Sequence, residues 1–430
     1  MKDRNDITED FLHFIWKNKM FDTENLVDDS GNKIEIINTG TQNTNAGPDF
    51  FNAKIKINNT LWAGNIEIHK KSSDWYKHNH HKDKAYNNVI LHVSIDNDKT
   101  VFNEKLRQIP ALTIKYNGKL LKNYKELKNK NTDITCKKII PKINKYELNA
   151  WLSAILTERT EEKTKCAKSV LKQTNNNYEE MLYITTAKAF GFKINALPFK
   201  MLAESLPLKI ISKHKTNKFQ TEALLFGQAG MLKNTNINDP FYLKLKNEYK
   251  FLKHKYKLTP TDPELWKFMR VRPSNFPTIR ISQFADLLHK STHLFSKITE
   301  AKNIRDIEKL FEIQAGNYWN THYRFGQESS FKKKTFGKSA RNNILINTVI
   351  PVLFLYGKEK DKPEIIEKAI NFLENIKAEK NKITKKWEDA GLKIKNAYFS
   401  QSLIQLYNTY CINKKCLDCR IGYKYIQKEH

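Results

Sequence analysis

The sequence has few of the residues on which several familiar site types depend. Only 14 of its 430 residues are glycine. The Gly-x4-Gly-Lys phosphate loop, the Gly-x-Gly-x2-Gly dinucleotide fingerprint and the Gly-x-Ser-x-Gly nucleophile elbow are all missing. The sequence therefore carries no signal for the common nucleotide-binding or serine-hydrolase classes.

Long apolar runs are missing too. No stretch reaches the roughly 20 apolar residues that a bilayer-spanning helix needs, and the N-terminal residues are polar and charged without a secretory pattern. We expect a soluble, cytoplasmic protein that has no membrane partner.

Cysteine is scarce, and its five copies do not indicate a disulfide framework. Three of them form a Cys-x4-Cys-x2-Cys pattern at Cys411, Cys416 and Cys419. Three thiols at this spacing can reach one zinc ion or iron–sulfur cluster, and a fourth ligand would come from elsewhere in the chain. The candidates for the fourth ligand are Cys136, Cys166 and His322. Among these, Cys136 is favoured because it follows a polar segment, where a metal-mediated link between domains would be useful. The alternative to a metal site is that all of the cysteines are reduced and bind no metal.

Arginine is rare in a chain whose net charge is +29. Ten of the 75 basic residues are arginine, and the abundant lysine and asparagine are also what A-rich codons would produce. The charge therefore indicates either a polyanion-binding surface or a solvated lysine surface.

The few arginines are unevenly placed, since six of the ten lie between residues 270 and 341 among aromatic residues. Guanidinium groups suit phosphates and stack on aromatic rings. The predicted nucleic-acid-binding residues are Arg270, Arg272, Arg280 and Arg324. The alternative is that Arg272 and Arg280 brace turns around neighbouring prolines.

Strand-like and helix-like patterns separate along the chain. Residues 1–116 predict a small α/β domain, residues 117–143 a polar linker or excursion, and residues 144–430 a larger all-helical domain that includes the cysteine cluster. The predicted fold class is therefore α+β. Predicted helices include 147–173, 178–190, 262–270, 278–297 and 338–357.

Two alternating runs, 47–57 and 61–70, predict a hairpin that carries polar residues on one face. Asp49 opens the first run, and Glu67 and His69 share a face of the second. Such a set predicts a divalent-metal site with Mg²⁺ or Mn²⁺, or, if His69 is a ligand, with Mn²⁺, Fe²⁺ or Zn²⁺. His78, His80 and His81 follow in a polar loop that can approach this site or remain solvated. A buried strand is predicted at 88–95.

The pair Pro48-Asp49, followed by Glu67-Ile68-His69 on the next run, resembles the PD-(D/E)xK nuclease superfamily. The resemblance covers roughly residues 8–96 and implies a restriction-endonuclease-like fold in which Asp49 and Glu67 hold a metal ion. Where the family has lysine this sequence has His69, with Lys70 one position later. The resemblance thus makes His69 or Lys70 the residue that orients the attacking water.

The whole chain also resembles a bacterial family of unknown function, DUF2851. The segments that carry this resemblance are Thr8–Leu12, Asn45–Phe50, Ser72–Trp75, Arg272–Pro277 and Lys415–Cys419. This family implies no activity.

From these residues we predict a metal-dependent nuclease that cleaves DNA or RNA, with Asp49, Glu67, His69 and Lys70 in its site. The alternatives are a non-catalytic nucleic-acid- or protein-binding factor with a degenerate nuclease core, and a protein whose lysines reflect codon usage alone.

Overall fold

The computed structural model describes residues 7–129 and 132–428, which form a mixed α+β structure of two compact units. The first unit comprises Met1–Leu148, Asp389–Leu392 and Tyr407–His430, and we call it the sheet unit. The second comprises Asn149–Glu388 and Lys393–Leu406, and we call it the helical unit. The outermost residues of the predicted domains, 1–6 and 429–430, and positions 130–131 of the predicted linker lie outside the described residues.

The strands are β1 (Ile34–Asn38), β2 (Thr41–Gln42), β3 (Phe50–Ile57), β4 (Thr60–Ile68), β5 (Val89–Ser94), β6 (Ala111–Thr113), β7 (His322–Arg324) and β8 (Gln327–Glu328).

The helices are α1 (Glu9–Lys17), α2 (Asp74–Lys77), α3 (Gly118–Asn129), α4 (Lys145–Gln173), α5 (Tyr178–Phe190), α6 (Ala196–Ser205), α7 (Leu208–Ser212), α8 (Lys218–Gln228), α9 (Pro240–Tyr256), α10 (Pro277–Lys290), α11 (Leu294–Glu300), α12 (Ile304–Leu310), α13 (Lys338–Ile344), α14 (Ile350–Glu359), α15 (Pro363–Asn375), α16 (Lys382–Asp389), α17 (Ala397–Gln405) and α18 (Arg420–Gln427). In the described part of the chain, none of these helices has both the length and the apolar character that crossing a bilayer requires.

A mixed sheet forms the centre of the sheet unit. Its order is β1-β3-β4-β5-β6, with β2 beside β3. The pairs β1–β3 and β3–β4 are antiparallel, whereas β4–β5 and β5–β6 are parallel. Every residue of β5 is buried, as its nearly continuous apolar sequence predicts for a strand covered on both faces.

Helix α1 packs its apolar stripe in the core of the sheet unit. Phe11, Leu12, Ile15 and Trp16 are all fully buried, and they recur at the spacing of one helix face. The Thr8 hydroxyl accepts from the Phe11 amide at 3.4 Å and so caps the first turn. This packing leaves the opposite part of the helix surface free to carry polar side chains.

The segment predicted as a linker contains a helix. Within α3, Leu121, Tyr124 and Leu127 are buried, and Asn123 Nδ2 donates to the Ile426 carbonyl of α18 at 2.9 Å. The prediction of a linker or excursion included no helix, because lysine and asparagine dominate the composition here and the apolar residues at helical spacing are few. Residues 407–428 belong to the sheet unit, whereas the sequence assigned them to the all-helical domain.

The helical unit is built around a large apolar core to which most of its helices contribute. Helix α10 lies at its centre, since its residues from Pro277 to Leu288 are buried. Two helix predictions in this unit differ from the structure. Residues 263–265 form only a short 3₁₀ turn, and the predicted helix 278–297 is divided because His293 has a φ of +54°, a conformation that cannot continue an α-helix. The predicted helix 338–357 is continuous apart from a π-helical turn at Leu345–Val349.

Candidate metal centre

Strands β3 and β4 bring Asp49 and Glu67 together at one end of the sheet. Their antiparallel register pairs Phe50 with Ile66, so Asp49 and Glu67 are the next residues that face each other. The Asp49 amide donates to Glu67 Oε2 at 3.1 Å, and Asp49 Oδ2 accepts from the Ile68 amide at 2.9 Å. Each acid is thus held by the backbone of the other strand.

Burial strongly perturbs the Glu67 carboxyl, whose residue is 4% exposed. The loss of solvation, together with the nearby charge of Asp49, raises the Glu67 pKa to about 9. A carboxylate in this position needs a cationic partner at neutral pH, because charge is unfavourable in a buried site that already holds another acid.

Three histidines form a cluster beside Glu67. His69 directly follows β4, and the segment after α2 supplies His78 and His80 through a turn at Asn79, whose φ is +61°. One ring nitrogen from each histidine lies within 4.8 Å of the other two. His80 Nε2 and His69 Nε2 lie 3.3 and 3.6 Å from Glu67 Oε1, and His78 Nδ1 lies 3.2 Å from His69 Nε2.

His92 orients the ring of His69. The parallel register of β4 and β5 places it opposite Glu67, and its Nε2 lies 2.9 Å from His69 Nδ1. When His69 Nδ1 is the donor in this contact, the lone pair of its Nε2 faces the other two histidines, as a metal ligand requires. Burial and the neighbouring histidines lower the pKa of His69 to about 2, and burial lowers that of His92 to about 4, so both rings are neutral.

Aromatic residues fix the loop that carries His78 and His80. The His80 ring stacks on Tyr86 with centroids 3.9 Å apart. Trp75 of α2 is fully buried, and its indole Nε1 donates to the Phe102 carbonyl at 3.0 Å. Burial raises the pKa of Tyr86 to about 12, so its hydroxyl stays protonated beside the acids.

Helix α1 adds a residue that the sequence did not identify. His13 Nε2 lies 3.1 Å from Asp49 Oδ2. Burial disfavours the charged ring, but the hydrogen bond to Asp49 and the charge of that carboxylate outweigh burial and raise the His13 pKa. Helical spacing could have shown that His13 lies on the polar side of α1. It could not have shown that His13 meets Asp49, because that contact depends on tertiary packing.

The donor set suits a borderline transition metal. Three imidazoles beside a carboxylate are ligands that Zn²⁺, Mn²⁺ and Fe²⁺ accept, whereas Mg²⁺ prefers oxygen ligands alone. His69, His78 and His80 therefore fit such an ion, and Glu67, whose Oε1 lies 3.3 Å from His80 Nε2 and 3.6 Å from His69 Nε2, is the adjacent carboxylate.

The structure brings Asp49, Glu67 and His69 together: the Asp49 amide donates to Glu67 Oε2, and His69 Nε2 lies 3.6 Å from Glu67 Oε1. Lys70 is half-buried, and its carbonyl accepts from the amides of Ile95 and Asp96 at 3.3 and 3.1 Å. For His78 and His80 the sequence allowed two alternatives, approach to the site or a solvated loop. In the structure both line the candidate centre.

The predicted nucleic-acid-binding arginines lie in the helical unit and differ in exposure. Arg270, Arg272 and Arg324 are exposed, and the Arg324 guanidinium lies 4.7 Å from the ring centroid of Phe268. Arg280 is buried, donates to Gln283 Oε1 at 2.8 Å and also bonds Asn275. The position of Arg280 favours the alternative role of bracing the turn before α10 over contact with phosphate.

The predicted four-cysteine group lies in the sheet unit. Cys136 and Cys419 are buried, Cys411 and Cys416 are half-buried, and the remaining thiol, Cys166, is exposed on α4.

Neither a curated protein nor a solved structure matches the chain. A family model described as "Protein of unknown function (DUF2851)" matches residues 9–382, which include the histidine-rich centre and most of the helical unit. The chain belongs to this family.

Proposed function

We propose that the protein is a metal-dependent phosphodiesterase that acts on nucleic acid. One observation carries the proposal: His69, His78 and His80 present their ring nitrogens within 4.8 Å of one another, and two of them, His69 and His80, contact the buried Glu67 carboxyl. A divalent ion held there would lower the pKa of a bound water and neutralise the charge of a scissile phosphate.

The residues around the centre have separate roles in this proposal. Glu67, His69, His78 and His80 bind the ion, and His92 holds His69 in the tautomer that binds. Asp49 is a second acid at the same strand end, and His13 Nε2 lies 3.1 Å from its Oδ2. His13 is the candidate general acid or base, because it is partly exposed and its 3.1 Å contact with Asp49 fixes the ring.

The order of elements supports a relation to the PD-(D/E)xK nucleases. A helix precedes a mixed sheet in which adjacent antiparallel strands carry the two acids, as the resemblance of the sequence implies. Histidine in place of the lysine points to a metal softer than Mg²⁺ and to a water oriented by His13 and not by a lysine.

Charge supports nucleic acid as the substrate. The net charge of +29 favours binding to a polyanion. Exposed Arg324, stacked on Phe268 with Phe276 5.4 Å away, presents the flat cation and aromatic surface that backbone and base contacts use.

The test is a cleavage assay with full-length protein. Labelled single-stranded DNA, double-stranded DNA and RNA are each incubated with protein loaded with Mn²⁺, Zn²⁺, Fe²⁺ or Mg²⁺. We expect cleavage with at least one of the first three ions. Asp49→Asn is expected to lower it on the order of 10²-fold or more while retaining nucleic-acid binding. The matched control is Glu35→Gln, an exposed acid on β1 of the same sheet, which should cleave normally.

Failure of every metal and substrate combination would remove the catalytic proposal. Nucleic-acid binding that persists in that case, at physiological salt, would leave the non-catalytic binding factor as the function. Equal loss of cleavage in Asp49→Asn and Glu35→Gln would show that activity does not depend on the centre.

A further inference from the structure

Two distant segments of the chain bring four cysteines into one part of the sheet unit. Tyr407 Oη donates to Asp133 Oδ1 at 2.9 Å, which joins the segment before Cys136 to the start of the C-terminal segment. Next to Cys136, the Thr135 side chain hydrogen-bonds the Cys416 thiol. The distant cysteine and the clustered ones therefore lie on segments in direct contact.

The C-terminal cysteines lie on a chain folded into tight turns. Lys414 has a φ of +53°, and its amide donates to the Cys411 carbonyl at 3.2 Å. The Cys419 amide donates to the Cys416 carbonyl at 3.3 Å. Gly422 has no side chain at a point where a Cβ would overlap the Cys416 carbonyl. These features hold Cys411, Cys416 and Cys419 close together at the N-terminal side of α18.

The environment of the thiols indicates a shared site. Cys136 is buried, which raises its pKa, and the charges of Cys419, Cys411 and Cys416 act in the same direction. These electrostatic contributions agree with the contact between the two segments, which brings Cys136 towards the clustered cysteines. The Lys414 ammonium acts in the opposite direction on Cys411 and Cys416 and supplies positive charge that stabilises thiolates.

The separation of the sulfurs distinguishes between two kinds of centre. Four thiolates on one Zn²⁺, each about 2.3 Å from it, lie about 4 Å from one another. Within the described residues, the group whose ligand atoms all fall inside 4.8 Å is the histidine set of the metal centre, and no three cysteines meet that limit. An iron–sulfur cluster distributes its four thiolates over two or more iron atoms, so thiolates on different irons lie farther apart than those on one zinc ion.

We propose that Cys136, Cys411, Cys416 and Cys419 bind an iron–sulfur cluster. The Cys-x4-Cys-x2-Cys spacing with a distant fourth cysteine is itself an iron–sulfur ligand pattern. Each thiol releases its proton when it binds iron, and the cluster then links residues 133–136 to residues 407–419. This site is separate from the histidine centre and does not depend on the proposed nuclease activity.

The experiment is anaerobic purification of the full-length protein, followed by measurement of iron, zinc and acid-labile sulfide per chain and of visible absorption. We expect about two or about four irons per chain with matching sulfide, and Mössbauer spectra distinguish these two cluster types. Cys136→Ser and Cys416→Ser should each lose the absorption band and most of the iron. The exposed Cys166→Ser is the matched control and should keep both.

Other outcomes overturn the proposal. One zinc per chain without sulfide would replace the cluster with a zinc site. Wild-type protein that holds neither iron nor sulfide, even after anaerobic incubation with Fe²⁺ and sulfide, would exclude the cluster. Circular dichroism identifies any variant that fails to fold. In that case the metal and sulfide content of the wild type, together with Cys166→Ser, decides the question without that variant.

Discussion

Replacing Glu67 with glutamine tests the metal centre through stability, without any assumption about the substrate. In the metal-free protein the folded-state pKa of Glu67 is about 9, against 4.5 for an ordinary glutamate. A carboxyl whose pKa is raised on folding contributes stability that is fully present below its unfolded pKa and is lost as the pH rises. A pH of 7 lies about 2.5 units above the ordinary glutamate pKa, which corresponds to a loss of about 3 kcal/mol in the free energy of unfolding.

Glutamine removes that loss because it does not titrate. Its amide oxygen can accept from the Asp49 amide, as Glu67 Oε2 does at 3.1 Å, and its amide nitrogen can donate to His80, whose Nε2 lies 3.3 Å from Glu67 Oε1. Metal-free Glu67→Gln should therefore be more stable than the metal-free wild type at pH 7, by up to about 3 kcal/mol.

Metal should reverse this order. An ion that binds only the folded state at a thousand times its Kd adds about 4.1 kcal/mol to the wild type, whereas the variant lacks the anionic ligand and should gain little. The assay is urea denaturation followed by circular dichroism, in EDTA and in Mn²⁺ or Zn²⁺, with Glu35→Gln as the control. If Glu67→Gln gains as much from the metal as the wild type, or is destabilised without metal, the reasoning about the centre is wrong.

The remaining predictions concern the helical unit. Burial raises the pKa of Glu222 to about 7, so the wild type should lose about 3 kcal/mol of stability as the pH rises from about 4.5 to about 7, and thermal melts of Glu222→Gln should lack this decline. Gly227→Ala should lower Tm strongly, because a Cβ there would overlap the Tyr249 ring, an overpacking that costs about 1–3 kcal/mol or more. Arg324→Ala should elute from heparin at lower salt than the wild type, since it removes an exposed cation stacked on an aromatic ring.

Each of these predictions has a result that contradicts it. A wild type whose Tm does not change between pH 4.5 and 7 would show that Glu222 is not perturbed. A Cβ added at Gly118 would meet no heavy atom within 4 Å, so Gly118→Ala is the control for Gly227→Ala, and equal melting of the two variants would refute the packing argument. Unchanged elution of Arg324→Ala would indicate that the surface does not bind polyanions.

Local patterns were sufficient to predict the strands at the candidate metal centre. The alternating run that carries Glu67 and the apolar run of β5 each specify a strand, and the face shared by Glu67 and His69 follows from the two-residue period of a strand. The pairing of Asp49 with Glu67 could be predicted because it requires only that the two runs form a hairpin. These features depend on contacts within about twenty residues of one another.

Features that depend on distant contacts could not be predicted. His13 meets Asp49 only because α1 packs against the sheet, and His80 is directed inward by its stacking on Tyr86 and by the buried Trp75. The segment that forms helix α3 was predicted as a linker or excursion, because the helix is stabilised by packing with α18, about 300 residues later in the sequence. The sequence also placed a helix over 262–270, where the chain instead turns around Pro263.

The contact between Asn123 and Ile426 has a consequence for how the chain folds. The sheet unit is discontinuous in sequence. During synthesis, the part of this unit that ends at Leu148 cannot complete its packing until the helical unit and then α18 have been made. Until then, the α3 surface against which Ile426 packs remains uncovered. Contacts of such high sequence separation slow folding and prolong exposure to aggregation, so fragments that end before residue 420 should need chaperones or precipitate.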